Sequence, residues 1–372
     1  MKKVLVFGMT ENPGGVESFI MAYYRKLDRS RVQFDFLCNT DEVAYEQEIE
    51  SLGGRVFRIC ARSRDLRRYR RELEAFFRQH AQEYCALWVN VCSLANIDYL
   101  KAAKKYNIPC RIIHSHNSQN MDSALRGLLH RLNRGRVRSL ATDYWACSNA
   151  AARWFYDEQL MQSERFRLVV NAIDLSRYAF NPAVRERLRA QLGLRDKLVI
   201  GNVGRLHRQK NQEFLLEIFA KLCQKRSDAV LLLVGDGEEN TTLMLQATKL
   251  GIHNRVRFLG VREDVADLFQ AMDLFVFPSR YEGLGIVLIE AQTSGLYCLT
   301  STEGVPQDAR VSQQIEYLPL AGGAALWCDR ILACAEEHRD RPNTLGQVRQ
   351  AGFDIDTQAP LLQNFFETEI ER

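Results

Sequence analysis

Short apolar runs alternate with longer stretches of helical period along almost the whole chain. Runs over 3–8, 33–38, 55–59, 86–90 and 111–114 are too short for helices and carry little polar alternation. Between them, 18–27, 42–52, 66–80 and 97–106 place apolar residues three and four apart, the spacing of a helix with one buried face. After a further run at 166–170 the alternation resumes, with strands predicted over 197–203, 229–237, 255–260, 273–277, 297–300 and 315–318 and helices over 182–192 and 212–224. Continuous apolar runs suit strands covered on both faces, as parallel sheets require. The pattern predicts an α/β protein built from doubly wound parallel sheets.

Residues 171–178 have no helical period and lead into Pro182, so a domain boundary is placed there, giving domains over 1–172 and 173–356. A last amphipathic helix is expected within 357–370. A length of 372 residues is too great for one ordinary core and suits two.

The richest stretch follows the run at 273–277. Pro278-Ser279 turns into Glu282-Gly283-Leu284-Gly285, and a helix opens at Ile286-Val287 and carries Glu290. Strand, glycine bend and helix in succession place free backbone N–H groups where an anion can sit. Asn12-Pro13-Gly14-Gly15 after the first strand is a similar turn, although it is not the G-x-G-x-x-G of a nicotinamide site. In doubly wound sheets ligands bind beyond the carboxyl ends of the strands. His114 and His116 stand at one such end, Arg205 and Lys210 follow the strand at 197–203, and Arg262 lies just past 255–260, where it could line a pocket.

Composition narrows the partners. Hydrophobic residues make up 46% and charged residues 26%, which is globular. The ten cysteines form no C-x-x-C pair, and most read as buried thiols of a reducing compartment. No apolar run approaches the ~18 residues a spanning helix needs, and Glu11 interrupts the first run too early for a signal peptide, so the expected location is cytoplasmic. Charge is uneven: the first 175 residues carry 27 Lys/Arg against 20 Asp/Glu, and the remainder carries the opposite bias. The arginines over 62–78 read as a solvated helix face. The stretch 123–142 differs, because it holds five arginines among leucines and no acid. Such a stretch can lie on an anionic membrane, each basic residue contributing ~1 kcal/mol, which places the chain peripherally at the inner face of the cell membrane. Aromatics are not interleaved with these arginines, so nucleic acid is not an expected partner.

Taken together, Gly14-Gly15, the histidine strand end, Arg205 with Lys210, Val234-Gly235-Asp236-Gly237 and Glu282-x7-Glu290 resemble the retaining glycosyltransferases of family 4, with the GT-B fold. The wording of 111–117, and of 305–306 with 315–320, is similar to the capsular and exopolysaccharide branch. The resemblance implies two Rossmann-like domains facing across a cleft, with the last helix returning to the first domain. It implies a nucleotide diphosphate-sugar donor, UDP-linked by expectation, held mainly by the second domain. The acceptor would be a glycan on polyprenyl diphosphate.

Under that pattern Glu290 bonds the ribose and Glu282 faces the transferred sugar. Gly283, Gly285, Ile286 and Val287 offer backbone to the distal phosphate, and Arg205 and Lys210 neutralise the diphosphate. His116, with His114 as second choice, touches the sugar, and Gly14-Gly15 lie near the phosphate and acceptor.

No cofactor or metal is expected. The one Asp-x-Asp triplet, Asp354-Ile355-Asp356, stands where a helix N-cap belongs. Pro306-Gln307 departs from the Pro-Glu that many members carry in the glycine-rich loop after the x7 motif, which removes a carboxylate from the sugar-recognition loop. Competing readings are a nucleotide-sugar epimerase, which needs no acceptor, and a non-catalytic GT-B scaffold subunit.

Overall fold

The computed structural model of the chain describes residues 1–119 and 124–370. It divides into two compact units, Met1–Ile173 with Gly352–Arg372, and Asp174–Ala351.

The first unit is built on seven parallel strands: β1 (Lys2–Phe7), β2 (Val32–Cys38), β3 (Val56–Arg58), β4 (Ala86–Val91), β5 (Cys110–Ser115), β6 (Asp143–Ala146) and β7 (Phe166–Leu168). Their order is β3-β2-β1-β4-β5-β6-β7. Strand β6 is absent from the sequence reading: it has four residues, all buried, and begins three residues after the long helix Ala124–Leu140. Its residues, Asp143-Tyr144-Trp145-Ala146, include no aliphatic run to mark a strand.

The second unit has six parallel strands: β8 (Leu198–Val203), β9 (Ala229–Val234), β10 (Val256–Phe258), β11 (Leu274–Phe277), β12 (Tyr297–Ser301) and β13 (Ile315–Leu318). They lie in the order β10-β9-β8-β11-β12-β13. Strand β9 stops at Val234 rather than 237, because Gly235 takes φ +126° and its backbone closes on that of Gly204, where a Cβ would come within 2.2 Å of the carbonyl oxygen. Helices Asn240–Lys249 and Val265–Ala271, on the crossovers, and Gly323–Glu337, after the last strand, are not read from the pattern. The stretch 171–178, expected to have no helix, contains one turn, Leu175–Tyr178, capped by Asp174.

In each sheet the chain reverses its order of laying down strands once, between β1 and β4 and between β8 and β11. Crossover helices leave in opposite directions at such a point, and a crevice opens beyond the carboxyl ends of the two strands.

The core of the first unit is aromatic. Trp88 stands 5.6 Å from Trp145 between ring centroids, and Phe34 lies 5.8 Å from Phe366. Phe365 and Phe366 belong to the C-terminal segment, whose helix Ile355–Asn364 buries Ile355, Ala359 and Leu362 in the same cluster. Backbone bonds from Ile173 N–H to Phe353 C=O (2.9 Å) and from Ile355 N–H to Ile173 C=O (3.0 Å) hold that segment where it rejoins the unit.

The contribution of this return is testable. Phe366 is fully buried, so Phe366→Ala removes a large side chain and leaves a cavity, at a cost of about 3–5 kcal/mol. Chemical denaturation followed by tryptophan fluorescence should show a correspondingly lower midpoint for the first unit. An unchanged midpoint would mean that the segment does not stabilise that core.

Candidate active site

At the switch point of the second sheet two loops meet, residues 204–211 after β8 and 278–285 after β11. They are tied by backbone and side chain: Arg280 N–H donates to Gln209 C=O at 2.8 Å, and Ser279 Oγ to the same oxygen at 3.0 Å. In return Gln209 Nε2 donates to Tyr281 C=O at 2.8 Å, and Asn211 Nδ2 to Pro278 C=O at 3.0 Å. Between the loops Lys210 Nζ bridges both oxygens of Glu282 at 2.8 and 3.0 Å. The ammonium lies 4.9 Å from the centroid of the Phe277 ring. Glu282, with 7% of its side chain exposed, also accepts from Ser279 Oγ at 2.6 Å.

The helix Ile286–Thr293 begins directly after this carboxylate. Gly285 caps it in the left-handed region at φ +80°, where a side chain would be strained. The first N–H groups of a helix have no intrahelical partner, so Ile286 and Val287 present donors at the end where Gly285 lies against the Glu282 side chain. One turn on, Glu290 receives the Tyr178 hydroxyl on Oε1 at 2.8 Å. Burial raises the Glu290 carboxyl to about 7, while the Tyr178 hydrogen bond and the nearby Arg177 charge pull it down. Tyr178 was not found from the sequence, since its stretch has no period to place it.

Arg205 is not drawn to Lys210. Its guanidinium is mostly exposed and pairs with Glu238 at 3.0 Å, which also meets His207 Nε2 at 3.1 Å. Arg262, past the sheet-edge strand β10, pairs with Asp264 at 2.6 Å. Gln307 begins the short helix Gln307–Ala309, which packs on Ile286–Thr293. The loop before it is closed over Ser279, whose carbonyl accepts from Ser301 Oγ.

In the first unit the residues at the switch point are Gly8 and Asn90, so close that a Cβ on Gly8 would come within 2.7 Å of Asn90. His116, just past β5, shares Nε2 with Asn90 Oδ1 at 2.9 Å. Because that oxygen accepts, Nε2 carries the proton and Nδ1 is left as an acceptor. Burial depresses the imidazole to about 3, so it stays neutral. His114 is fully buried among Phe19, Trp88 and Trp145, which is the environment of a core residue. Of the two histidines the structure therefore leaves His116 at the strand end. Gly14 and Gly15 open the helix Gly15–Lys26, where Glu17 accepts from Gly14 N–H at 3.1 Å and from Thr10 Oγ1 at 2.6 Å.

Two groupings bear on metals. Asp354 accepts from Asp356 N–H at 3.2 Å as the cap of Ile355–Asn364, and Asp356 pairs with Lys26 at 2.7 Å. Among the described residues, Cys334, Glu337 and His338 bring ligating atoms within 4.8 Å, but Arg330 already holds Glu337 at 3.2 Å.

The Lys210–Glu282 pair has a measurable signature. Breaking a buried pair from one side costs about 3–5 kcal/mol, because the remaining charge is stranded. Lys210→Met should accordingly lower the thermal stability of the second unit, and adding Glu282→Gln should restore much of it. A double mutant as unstable as the sum of the single mutants would show the two groups to be uncoupled.

Residues 184–317 match the family model described as glycosyl transferases group 1. The chain is 33% identical to EpsF of Bacillus subtilis (strain 168), a protein named as a glycosyltransferase, over 100% of this chain and 98% of the relative. Over 37% of the chain and 36% of the relative it is 34% identical to the UDP-Gal:alpha-D-GlcNAc-diphosphoundecaprenol alpha-1,3-galactosyltransferase of Escherichia coli. The crystal structure of Anabaena HepE in complex with UDP and glucose shares the fold, with a TM-score of 0.80 at 22% identity over 99% of this chain and 100% of that one. The two parallel sheets are those of a GT-B protein, and with a relative aligned from end to end the chain belongs to the group 1 glycosyltransferases.

Proposed function

We propose that the chain is a metal-independent retaining hexosyltransferase of family 4. It moves a sugar from a UDP-sugar to a glycan carried on polyprenyl diphosphate, in capsular or exopolysaccharide assembly. The observation that carries this reading is the Lys210–Glu282 pair set against the amino end of helix Ile286–Thr293 at a topological switch point. A departing nucleoside diphosphate gains charge in the transition state, and fixed donors aimed at it stabilise that charge without reorganisation. Lys210 and the N–H groups of Ile286 and Val287 are such donors, and Gly283 and Gly285 let the donor approach the backbone.

Magnitudes order the exchange of partners. Arg205 is in an exposed pair with Glu238, and such pairs are worth about 0–1 kcal/mol, so a diphosphate can recruit the guanidinium at little cost. Lys210 leaves a buried partner, and Glu282 is then released toward the hydroxyls of the transferred sugar. Glu290 takes the ribose. His116 supplies a neutral imidazole to the sugar, Gly14-Gly15 serve the phosphate and acceptor, and Arg262 exchanges Asp264 for the nucleotide. Same-face substitution, with the leaving phosphate accepting the acceptor's proton, asks only for positioning and electrostatics. The Escherichia coli relative, which by name uses UDP-Gal and a diphosphoundecaprenol acceptor, supports both halves of the assignment.

Turnover of a UDP-sugar panel with undecaprenyl diphosphate-linked acceptors, in the presence of EDTA, tests the reading. Retained anomeric configuration by NMR is expected. Lys210→Ala should lower kcat/KM by roughly 10²- to 10³-fold, the usual effect of deleting one such donor. An inverted product, or loss of activity to EDTA that added metal restores, would overturn it.

Membrane contact belongs to the same proposal and draws on the helix Ala124–Leu140. Ser123 of the basic stretch lies outside the described residues. One face of the helix is anchored: His130 accepts from Leu94 N–H at 3.1 Å and meets Trp154 C=O at 3.0 Å, and Asn133 donates to Leu94 C=O at 2.7 Å. These bonds fix the helix's rotation so that Leu125, Leu128 and Leu132, exposed by 65%, 52% and 59%, form a stripe on the other face, flanked by Arg131 and Arg136. Leucines bordered by cations match an anionic bilayer surface. The protein should sediment with phosphatidylglycerol vesicles at low salt and less at high salt. Replacing the three leucines by serine should abolish sedimentation without changing the melting temperature. Equal sedimentation of parent and variant would exclude this face.

A further inference from the structure

Resting on the reading that Glu290 receives the ribose, we propose that Tyr178 is a positioning residue for donor binding, one whose hydroxyl holds the Glu290 carboxylate in place for the nucleotide's diol. Tyr178 closes the helical turn Leu175–Tyr178, the first element of the second unit. That turn is fixed from several sides. Asp174 accepts from Ser176 N–H at 3.1 Å, Arg177 donates to Glu263 C=O at 3.0 Å, and Gln270 Nε2 donates to Tyr178 C=O at 3.4 Å. The Tyr178 ring packs beside Phe269 at 6.2 Å between centroids.

Packing alone would be met by phenylalanine. The hydroxyl instead reaches 2.8 Å to Glu290 Oε1. The phenol is bonded to Oε1, and a ligand hydroxyl would be received on the second carboxylate oxygen.

The arrangement answers a specific difficulty. A carboxylate accepts two hydroxyl protons well only when ionised, and burial works against ionisation. Glu290 is held to about 7 against that burial by Tyr178 and by the charge of Arg177. Tyr297, Asp308 and Arg349 stand on the other elements packed against the helix Ile286–Thr293. Tyr297 is turned to Glu316 at 3.3 Å. Without the phenol, the carboxyl would titrate higher and be protonated in a larger fraction of molecules at neutral pH.

Calorimetric titration of UDP into the full chain between pH 6 and pH 9 distinguishes the possibilities. A higher Glu290 pKa in Tyr178→Phe should weaken UDP several-fold at pH 7 and leave little difference at pH 9. The reaction's kcat at saturating donor should be unchanged. Glu290→Gln should bind weakly at every pH, and Tyr178→Phe added to it should change nothing further. If Glu290→Gln binds UDP as the parent does, the ribose assignment fails. If Glu290→Gln is weak but Tyr178→Phe keeps the parental affinity and pH profile, the role of Tyr178 fails while the ribose assignment stands. Near-ultraviolet circular dichroism on Tyr178→Phe secures the comparison, since the ring packing is retained.

Discussion

Lys210 and Glu282 can meet only because the second sheet reverses its strand order between β8 and β11. Parallel strands must be joined by crossovers, so every loop of one kind emerges at the same edge, and at the reversal no crossover covers the gap. The loops that follow β8 and β11 fill that space together and are fastened to one another through Gln209, Asn211 and Ser279. The close approach of Gly235 to Gly204 brings the end of β9 against the first of them. A side chain at Gly235 would push the loop carrying Lys210 away from its partner. The backbone of the site is thus set by sheet topology, and the charges are set on that backbone.

Those charges are held in three different ways, and the difference has chemical content. Lys210 and Glu282 are largely buried and mutually neutralised, so neither is stranded while the site is empty. Arg205 waits in water on Glu238, where its pair is screened and weakly bound. Glu290 is buried and receives the Tyr178 hydroxyl, which acts with the charge of Arg177 against the effect of that burial. A dianionic ligand entering such a site would meet one mobile cation, one cation released from a buried partner, and helix N–H groups that need no rearrangement. Positive charge is thereby kept at the switch point without an unpaired buried cation.

Much of this was legible in the sequence, and what was not has identifiable causes. Strand and helix alternation follows from burial on both sheet faces, so the α/β class is carried by long apolar runs such as 229–234 and 273–277. Strand β6 escaped because Asp143-Tyr144-Trp145-Ala146 has no aliphatic run to mark it, and Gly323–Glu337 has no such excuse, since its buried Trp327, Cys328, Ile331 and Cys334 are spaced for a helix face. His114 and His116 are two apart and identical in sequence terms. Only the third dimension separates a ring enclosed by Phe19, Trp88 and Trp145 from one bonded to Asn90 at the switch point. Long-range partners such as Asn90 for His116 and Tyr178 for Glu290 leave no local mark, since each is 26 or more residues from the group it orients.

The basic helix Ala124–Leu140 shows how one amphipathic pattern can contain two faces. Its composition, five arginines among leucines, does not say which residues point inward. The structure assigns the inward face to Gly127, His130, Asn133 and Val137, a polar set for a buried surface. His130 and Asn133 are tolerated there because each satisfies backbone groups that would otherwise be buried without partners: Leu94 N–H and C=O, and Trp154 C=O. Directional bonds of this kind define rotation more sharply than a stripe of leucines could, since apolar contact has no preferred angle. The leucines are therefore not needed for the fold. Their exposure beside Arg131 and Arg136 is a surface property that the inward hydrogen bonds make possible.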